Sequence, residues 1–304
     1  MATFEVKRIL VPVDFSTTGE KVLNHAALLA KKTKAELVLM SVIEGPMGNA
    51  GSSDFGISLY NRTKFESMLA DGVKKNLEKY KASLLKKGAA KVSYLIESGK
   101  PYKKITEAAK KIKADVIFMG THGVSGMREF VIGSNTFRVV SEASCPILSV
   151  QKTTLKTGFK HILLPFRDKA HSRESVEYAI RMAELYGAII HVLGISLDTS
   201  DEGVNKILLE GEQIKQILTK RGVKSTLDIV KGNYVAKLIN AFAKKKKADL
   251  LVIMSDLDRM SISELVIGPV VQQLINHSKI PVLSIQPVIN PKKVVGSGDW
   301  TFWA

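Results

Sequence analysis

Residues 115–134 read D-V-I-F-M-G-T-H-G-V-S-G-M-R-E-F-V-I-G-S: a strand-like run, a glycine-containing loop and the start of a helix-like run. Three glycines, Gly120, Gly123 and Gly133, follow the spacing G-x2-G-x9-G, and Ser134 comes directly after them. Glycine has no Cβ, so backbone N–H groups at such a strand end and helix start can approach an anion closely. The stretch therefore predicts a phosphate-binding turn inside an α/β unit.

Each residue of this turn has a predicted role. Gly120 ends the strand without a side chain, Gly123 permits a positive φ, and Gly133 exposes the first N–H groups of the helix. Ser134 and Asn135 then offer hydrogen-bond donors at the positive end of the helix dipole.

The loop differs from a Walker A motif. No G-x4-G-K-[ST] occurs in the chain, so the lysine that usually contacts the β- and γ-phosphates is missing. Two other polar residues of the loop, His122 and Arg128, fit either a ligand contact or a solvent-facing position. The six histidines show no metal-binding spacing.

Length and composition indicate a folded protein of two domains. The chain has 304 residues, of which 45% are hydrophobic and 24% charged. No apolar run approaches the roughly 20 residues of a membrane span, and the first 14 residues lack the apolar region of a signal peptide. The one cysteine, Cys145, excludes an intramolecular disulfide and a cysteine-based zinc cluster. These features predict a cytoplasmic protein.

The net charge of +16 raises the question of a polyanionic partner. Lysines are scattered over several amphipathic helical patterns, and no aromatic residues interleave with them as a single-strand binder would require. Solvated helix faces are the favoured interpretation, and a nucleic-acid-associated protein is the alternative. Salt-resistant, sequence-dependent binding would distinguish the two.

The chain repeats itself once. Four segments recur in the same order: 8–13 with 161–166, 108–119 with 242–253, 129–133 with 264–268, and 144–150 with 279–285. The repeat pairs Cys145 with Ile280, which predicts a buried core thiol. A repeat this long indicates duplicated domains and not a solenoid.

Strand-like and helix-like patterns alternate in each copy. In the first copy the predicted strands are 6–13, 35–43, 92–97, 115–120 and 146–151, and the predicted helices are 18–33, 60–87, 101–113 and 134–142. The alternation predicts an α/β fold with a doubly wound parallel five-stranded sheet in each half, of order 3-2-1-4-5 or 2-1-3-4-5. Thr17-Thr-Gly-Glu20 is a candidate capping box for the first helix.

In the order 3-2-1-4-5, strands 1 and 4 are neighbours, and the gap between their carboxyl ends is the topological switch point. Strand 1 ends in Pro12-Val13-Asp14 and strand 4 in Met119-Gly120. Asp14 would thus face the glycine turn, where it suits an acceptor for a ribose hydroxyl or a base amino group. A helix cap or turn residue is the compatible alternative for Asp14.

The chain resembles a tandem universal stress protein. The resemblance rests on Val11-Pro-Val-Asp-Phe-Ser16, Ala114-Asp-Val-Ile-Phe-Met-Gly-Thr-His-Gly123, Gly133-Ser134 and Cys145-Pro-Ile-Leu-Ser-Val150. It implies a Rossmann-like sheet of order 3-2-1-4-5 and binding of ATP together with Mg²⁺. The implied nucleotide site comprises Pro12, Val13, Asp14, Val42, Met119, Gly120, His122, Gly123, Gly133, Ser134 and Asn135.

The second copy departs from this pattern. Asp14 corresponds to Arg167, no glycine stands where Gly120 and Gly123 do, and Pro269 replaces Ser134. The predicted domains are therefore 1–151 with an intact motif, 159–287 without it, and a tail, 288–304, which contains both tryptophans.

The leading hypothesis is a non-catalytic, ATP-binding regulatory protein of the stress response, and a slow ATPase is the alternative from the enzyme class. The resemblance also implies association. The apolar runs 146–150 and 281–285 are the expected seam of an intramolecular pseudo-dimer, and a homodimer is a further expectation. No membrane partner is expected, because no apolar run approaches the length of a membrane span.

Overall fold

The computed structural model of the chain describes residues 4–44, 55–121, 133–151, 154, 157–167, 174–255 and 268–286, with the backbone alone for 55–67. The first half contains β1 (Arg8–Pro12), α1 (Thr17–Thr33), β2 (Glu36–Ile43), α2 (Phe55–Lys86), β3 (Lys91–Ser98), α3 (Pro101–Ile112), β4 (Val116–Gly120), α4 (Ser134–Glu142) and β5 (Ile147–Val150). The second half contains β6 (His161–Phe166), α5 (Glu174–Tyr186), β7 (Ile189–Ser196), α6 (Asp201–Lys220), β8 (Ser225–Lys231), α7 (Val235–Lys245), β9 (Leu250–Met254), α8 (Pro269–His277) and β10 (Val282–Ile285).

These ten strands form one continuous sheet of order β3-β2-β1-β4-β5-β10-β9-β6-β7-β8. The order 3-2-1-4-5 predicted for each half is confirmed. Strands are parallel within each half, whereas β5 and β10 pair antiparallel with Leu148 opposite Leu283. The predicted pair of five-stranded sheets is thereby merged into one. Because the junction is antiparallel, the strands of the two halves point in opposite directions. Their carboxyl ends therefore lie at opposite ends of the strand direction.

Helices cover the sheet on both faces, which explains the near-continuous apolar strands. In β4, Phe118 belongs to the core beneath α1 and α5, while its neighbour Ile117 belongs to the core beneath α3 and α4. Both side chains are essentially inaccessible to water. Cys145 is buried in the second of these cores, as predicted, and burial raises the pKa of its thiol to about 12.

The predicted capping box at Thr17–Glu20 is wrong. Ser16 is the N-cap of α1, and its hydroxyl accepts a hydrogen bond from the N–H of Gly19 at 3.2 Å. The residue three positions after this cap is Gly19, which has no side chain to return the bond, so α1 has a simple serine cap.

The connection between the halves is held against both of them. Phe159 is 2% exposed, stacks on His25 of α1 at 5.4 Å between centroids, and meets Tyr186 of α5 edge-on at 4.9 Å. Phe4 also contacts Tyr178 of α5, at 4.5 Å between centroids. These aromatic contacts across the halves stabilise the junction in addition to the β5–β10 pairing.

In the second half, α6 approaches the sheet closely at Gly211. Phe166 ends β6, where the first half has Val13, and its ring is 1% exposed. A Cβ on Gly211 of α6 would lie 2.6 Å from Leu227 Cδ1 and 3.2 Å from the Phe166 ring. The larger ring therefore occupies space that the missing side chain of Gly211 leaves free.

Substitution of Gly211 by alanine should destabilise the protein by about 1–3 kcal/mol, because the added methyl group overpacks this contact. The matched control is Gly72→Ala in α2, where no atom lies within 4 Å of the added Cβ. That control should gain up to about 1 kcal/mol from helix propensity. Urea unfolding measures both changes, and equal effects of the two substitutions would contradict the packing argument.

Candidate functional site

The pairing of β1 with β4 stops before their carboxyl ends. The pairing of these two strands covers only Ile9–Val116 and Leu10–Ile117. On either side the pairing runs further, to Pro12–Met40 between β1 and β2 and to Gly120–Val150 between β4 and β5. The separation of β1 from β4 lies at the topological switch point, where open α/β sheets bind their ligands.

The two ends of the glycine loop meet beside this switch point. The N–H of Gly133 donates to the carbonyl of Thr121 at 2.9 Å, and Thr136 Oγ1 donates to the carbonyl of Gly120 at 2.8 Å. These bonds fix the start of α4 against the end of β4. The predicted neighbours Gly120, Gly133, Ser134 and Asn135 are thus brought together.

The amino end of α4 has no side-chain cap from the residues that the structure describes. Gly133 is its N-cap, and the first turn carries no acidic residue. The first N–H groups of a helix have no intrahelical acceptor and attract anions. Ser134 is exposed and Asn135 is half-buried at this end.

Within the described residues, nothing around Gly133 requires a glycine. Its φ of −57° and ψ of 137° suit any residue, and a Cβ would lie 3.4 Å from the Thr121 carbonyl oxygen, an ordinary contact. A residue without a side chain here would let a ligand approach the helix end closely.

Asp14 stands at the end of β1 on a constrained turn. Its Oδ1 accepts hydrogen bonds from Ser16 N at 3.0 Å and Ser16 Oγ at 2.7 Å. Phe15 between them has a φ of 60°, and its ring stacks on Tyr80 of α2 at 5.7 Å between centroids. The turn role predicted for Asp14 is therefore present. Its side chain is exposed.

The other predicted residues fall into three groups. Pro12 and Val42 are half-buried at the strand ends. Val13 and Met119 are buried in the two opposite cores, so only their backbone can reach a ligand without rearrangement. The N–H of Val13 donates to the Met40 carbonyl at 2.8 Å. His122 and Gly123, like Arg128, lie outside the described residues.

The equivalent position in the second half has a different chemistry. Gly268 caps α8 as Gly133 caps α4, but Pro269 is the first residue of that helix. Proline supplies no N–H donor. The β6 end carries Phe166 and Arg167 in place of Val13 and Asp14.

A histidine pair lies near the amino ends of β6 and β7, away from the carboxyl ends of the strands. His161 Nδ1 and His191 Nε2 are 3.1 Å apart, and His191 Nδ1 is 2.9 Å from Thr226 Oγ1. Burial lowers the pKa of His191, and the charges of Lys246 and His161 lower it further, against an opposite effect of Asp228. The described residues contain no cluster of three or more histidine, cysteine or acidic side chains suited to a metal ion.

Two residues that support the site were not predicted from the sequence. Thr136 joins α4 to the end of β4 by a hydrogen bond, and Phe15 holds the Asp14 turn by stacking on Tyr80. The position of Thr136, three residues after the helix cap Gly133, could have indicated this hydrogen bond. The contact between Phe15 and Tyr80 joins residues far apart in sequence and left no signal.

The fold and site define a tandem, doubly wound α/β protein whose first half has a glycine-capped helix start at its switch point. A family model described as the universal stress protein family matches residues 5–151 and again 158–286. Because the two matches cover most of the chain, the protein belongs to the universal stress protein family.

Individual relatives agree with this assignment. The universal stress protein MJ0577 of Methanocaldococcus jannaschii is 30% identical over 155 residues, which are 48% of this chain and 95% of that protein. YxiE of Bacillus subtilis is 30% identical over 148 residues, 47% of this chain and 98% of that protein. Both therefore correspond to one half of the chain.

The whole chain matches a solved structure of a universal stress protein from Archaeoglobus fulgidus. The TM-score is 0.73 at 18% identity, with 94% of this chain and 98% of that chain covered. This similarity supports the fold of both halves together. Within the described residues, no helix combines the length and the apolar character that a membrane crossing requires.

Proposed function

We propose that the protein is a non-catalytic regulatory member of its family that binds one ATP, with Mg²⁺, in the first domain (1–151). The observation that carries the proposal is the start of α4 at Gly133, without a side-chain cap among the described residues, beside the switch point between β1 and β4. The phosphates would lie at Gly120, Gly123, Gly133, Ser134 and Asn135. The adenosine would lie between the Asp14 carboxylate and the backbone near Val13 and Val42, with Pro12 and Met119 beside it.

Asp14 suits the sugar end of the nucleotide better than the phosphate end. A carboxylate is an acceptor for ribose hydroxyls and repels phosphate. The two bonds from Ser16 hold the carboxylate in one orientation before a ligand arrives. Such preorganisation reduces the entropy lost on binding.

The second domain (159–287) is proposed to bind no ATP by this chemistry. Pro269 removes a donor from the helix end, and Arg167 stands where the acceptor Asp14 does. In addition, Phe166 fills the core below this edge. The tail 288–304 lies outside the described residues, so its proposed boundary rests on the sequence alone.

Isothermal titration of the full chain with Mg²⁺–ATP should give about one site per chain. The physical reason is the difference between Ser134 and Pro269 at equivalent helix starts. The same titration of an Asp14→Ala variant should show weaker binding, because the ribose loses an acceptor. Two equivalent sites per chain would contradict the proposal.

The proposal includes no hydrolytic step. The sequence offers three residues for such a step, of which Asp14 is described, whereas His122 and Arg128 lie outside the described residues. A cytoplasmic location is part of the proposal, and the single buried cysteine is compatible with it.

We also propose that the two domains act as a pseudo-dimer within one chain. The antiparallel β5–β10 pairing supports this, since it satisfies both strand edges and covers Leu148 and Leu283. The homodimer expected from the family resemblance stays a prediction, and light scattering would test it.

A further inference from the structure

Two glutamines occupy equivalent positions at the seam between the domains. Gln151 directly follows β5, and Gln286 directly follows β10. Because these strands run antiparallel, each glutamine emerges beside the other half of the molecule. Gln151 is 4% exposed, and Gln286 is half-buried.

Gln286 reaches from the second half to the carboxyl end of α4 in the first half. Its Nε2 donates to the main-chain carbonyl of Val140, and its Oε1 accepts from Ser255 Oγ at 2.6 Å. The last four carbonyls of a helix lack partners inside the helix. The carbonyl of Val139 accepts from Ala143 N at 2.9 Å. Gln286 therefore supplies the next cap of α4 from the other domain.

Gln151 does the same for α8. Its Nε2 donates to the carbonyl of Ile275 at 3.4 Å, while the carbonyl of Leu274 accepts from Ser278 N at 2.9 Å. Gln151 Oε1 has no hydrogen-bond partner among the described residues. Gln286 thus has a second anchor, Ser255, that the described residues do not show for its counterpart.

The two ends of α4 are therefore held by hydrogen bonds to different domains. Its amino end carries the proposed phosphate donors, and its carboxyl end is held by Gln286. The helix has nine residues and is therefore only about 13 Å long. A shift of the carboxyl end moves the amino end with it, and a charge-assisted hydrogen bond weakens steeply with distance and angle.

We propose that Gln286, a residue of the second domain, is a positioning residue for the nucleotide site of the first domain. This inference rests on the proposed function, since the affected ligand is the ATP of that site. It gives the second half a role even without a nucleotide of its own. Gln286, anchored on Ser255, fixes the register of α4 against the sheet and so fixes where its first N–H groups point.

The test compares Gln286→Met with Gln151→Met in the full-length chain. Methionine keeps the length and most of the volume but cannot donate to a carbonyl. Gln286→Met should weaken Mg²⁺–ATP binding by roughly three- to thirtyfold, the range of coupling between distant sites. Gln151→Met removes the cap of α8 and is the substitution at the more buried of the two positions. It should leave the Kd for Mg²⁺–ATP within about twofold of the parent value.

Hydrogen exchange supplies a readout that does not depend on ATP. Amides of α4 should exchange faster in Gln286→Met, and amides of α8 should do so in Gln151→Met. A third variant, Ser255→Ala, removes the anchor of Gln286 and should weaken ATP binding less than Gln286→Met does.

The outcomes separate the two proposals. Equal ATP affinity in the parent and in Gln286→Met would overturn the positioning role, and so would equal weakening by both methionine variants, which indicates general loosening of the seam. Absence of ATP binding in the parent protein would instead overturn the proposed function and, with it, any effect of Gln286 on affinity.

Discussion

A Ser134→Pro variant should keep its fold and lose most of its affinity for ATP. The change copies Pro269, which already begins the equivalent helix α8. Proline is well tolerated at the first position of a helix, so the melting temperature should change little. The site, however, loses a hydroxyl and a backbone N–H that the proposal places on a phosphate.

Hydrogen bonds to charged groups contribute about 1.5–3 kcal/mol each, so the loss of both donors should raise the Kd by at least about a hundredfold. Isothermal titration measures the Kd, and circular dichroism measures the fold. Ser134→Ala is the matched control, because it removes only the hydroxyl and should show the smaller loss. A folded Ser134→Pro protein with the affinity of the parent would show that α4 does not hold the phosphates.

The second large effect is expected at the seam, for Leu148→Glu. Leu148 is fully buried in β5 and faces Leu283 across the antiparallel pair. An ionised carboxylate there would have no partner, and the loss should be about 4 kcal/mol or more. We therefore expect separation of the two halves or aggregation through the exposed strand edges.

Urea unfolding reports the loss of stability, and small-angle scattering reports the separation. The control is Leu148→Met, a change of shape at nearly constant volume, which should lose less than about 1.5 kcal/mol. If Leu148→Glu retained the compact scattering profile and the stability of the parent, the β5–β10 contact would not hold the halves together.

The local elements of this protein were readable from its sequence. The apolar strands and the periodic helices predicted the nine elements that the structure describes in the first half, because parallel strands covered by helices leave a near-continuous apolar run. The spacing of Gly120, Gly133 and Ser134 also predicted that they meet at one helix start. Both patterns arise from neighbours in the chain.

Errors and omissions came from choices between local alternatives or from distant partners. Ser16 and Thr17 are both acceptable caps, and only the backbone of the turn, fixed by Asp14 and Phe15, decides for Ser16. The hydrogen bond from Thr136 to the Gly120 carbonyl joins residues on the two sides of a loop. No periodicity in the sequence encodes such contacts.

By itself, the sequence determined the fold class, the duplication and the difference between an intact and an altered nucleotide motif, because each follows from the residue types of local segments or from a comparison of two such segments. The tertiary structure alone decided how the halves share one sheet. It placed Leu148 against Leu283 and carried Gln286 to the carboxyl end of α4. Backbone groups at a strand edge or a helix end accept any partner with the right geometry, so the identity of that partner is set by packing across the molecule and not by the local sequence.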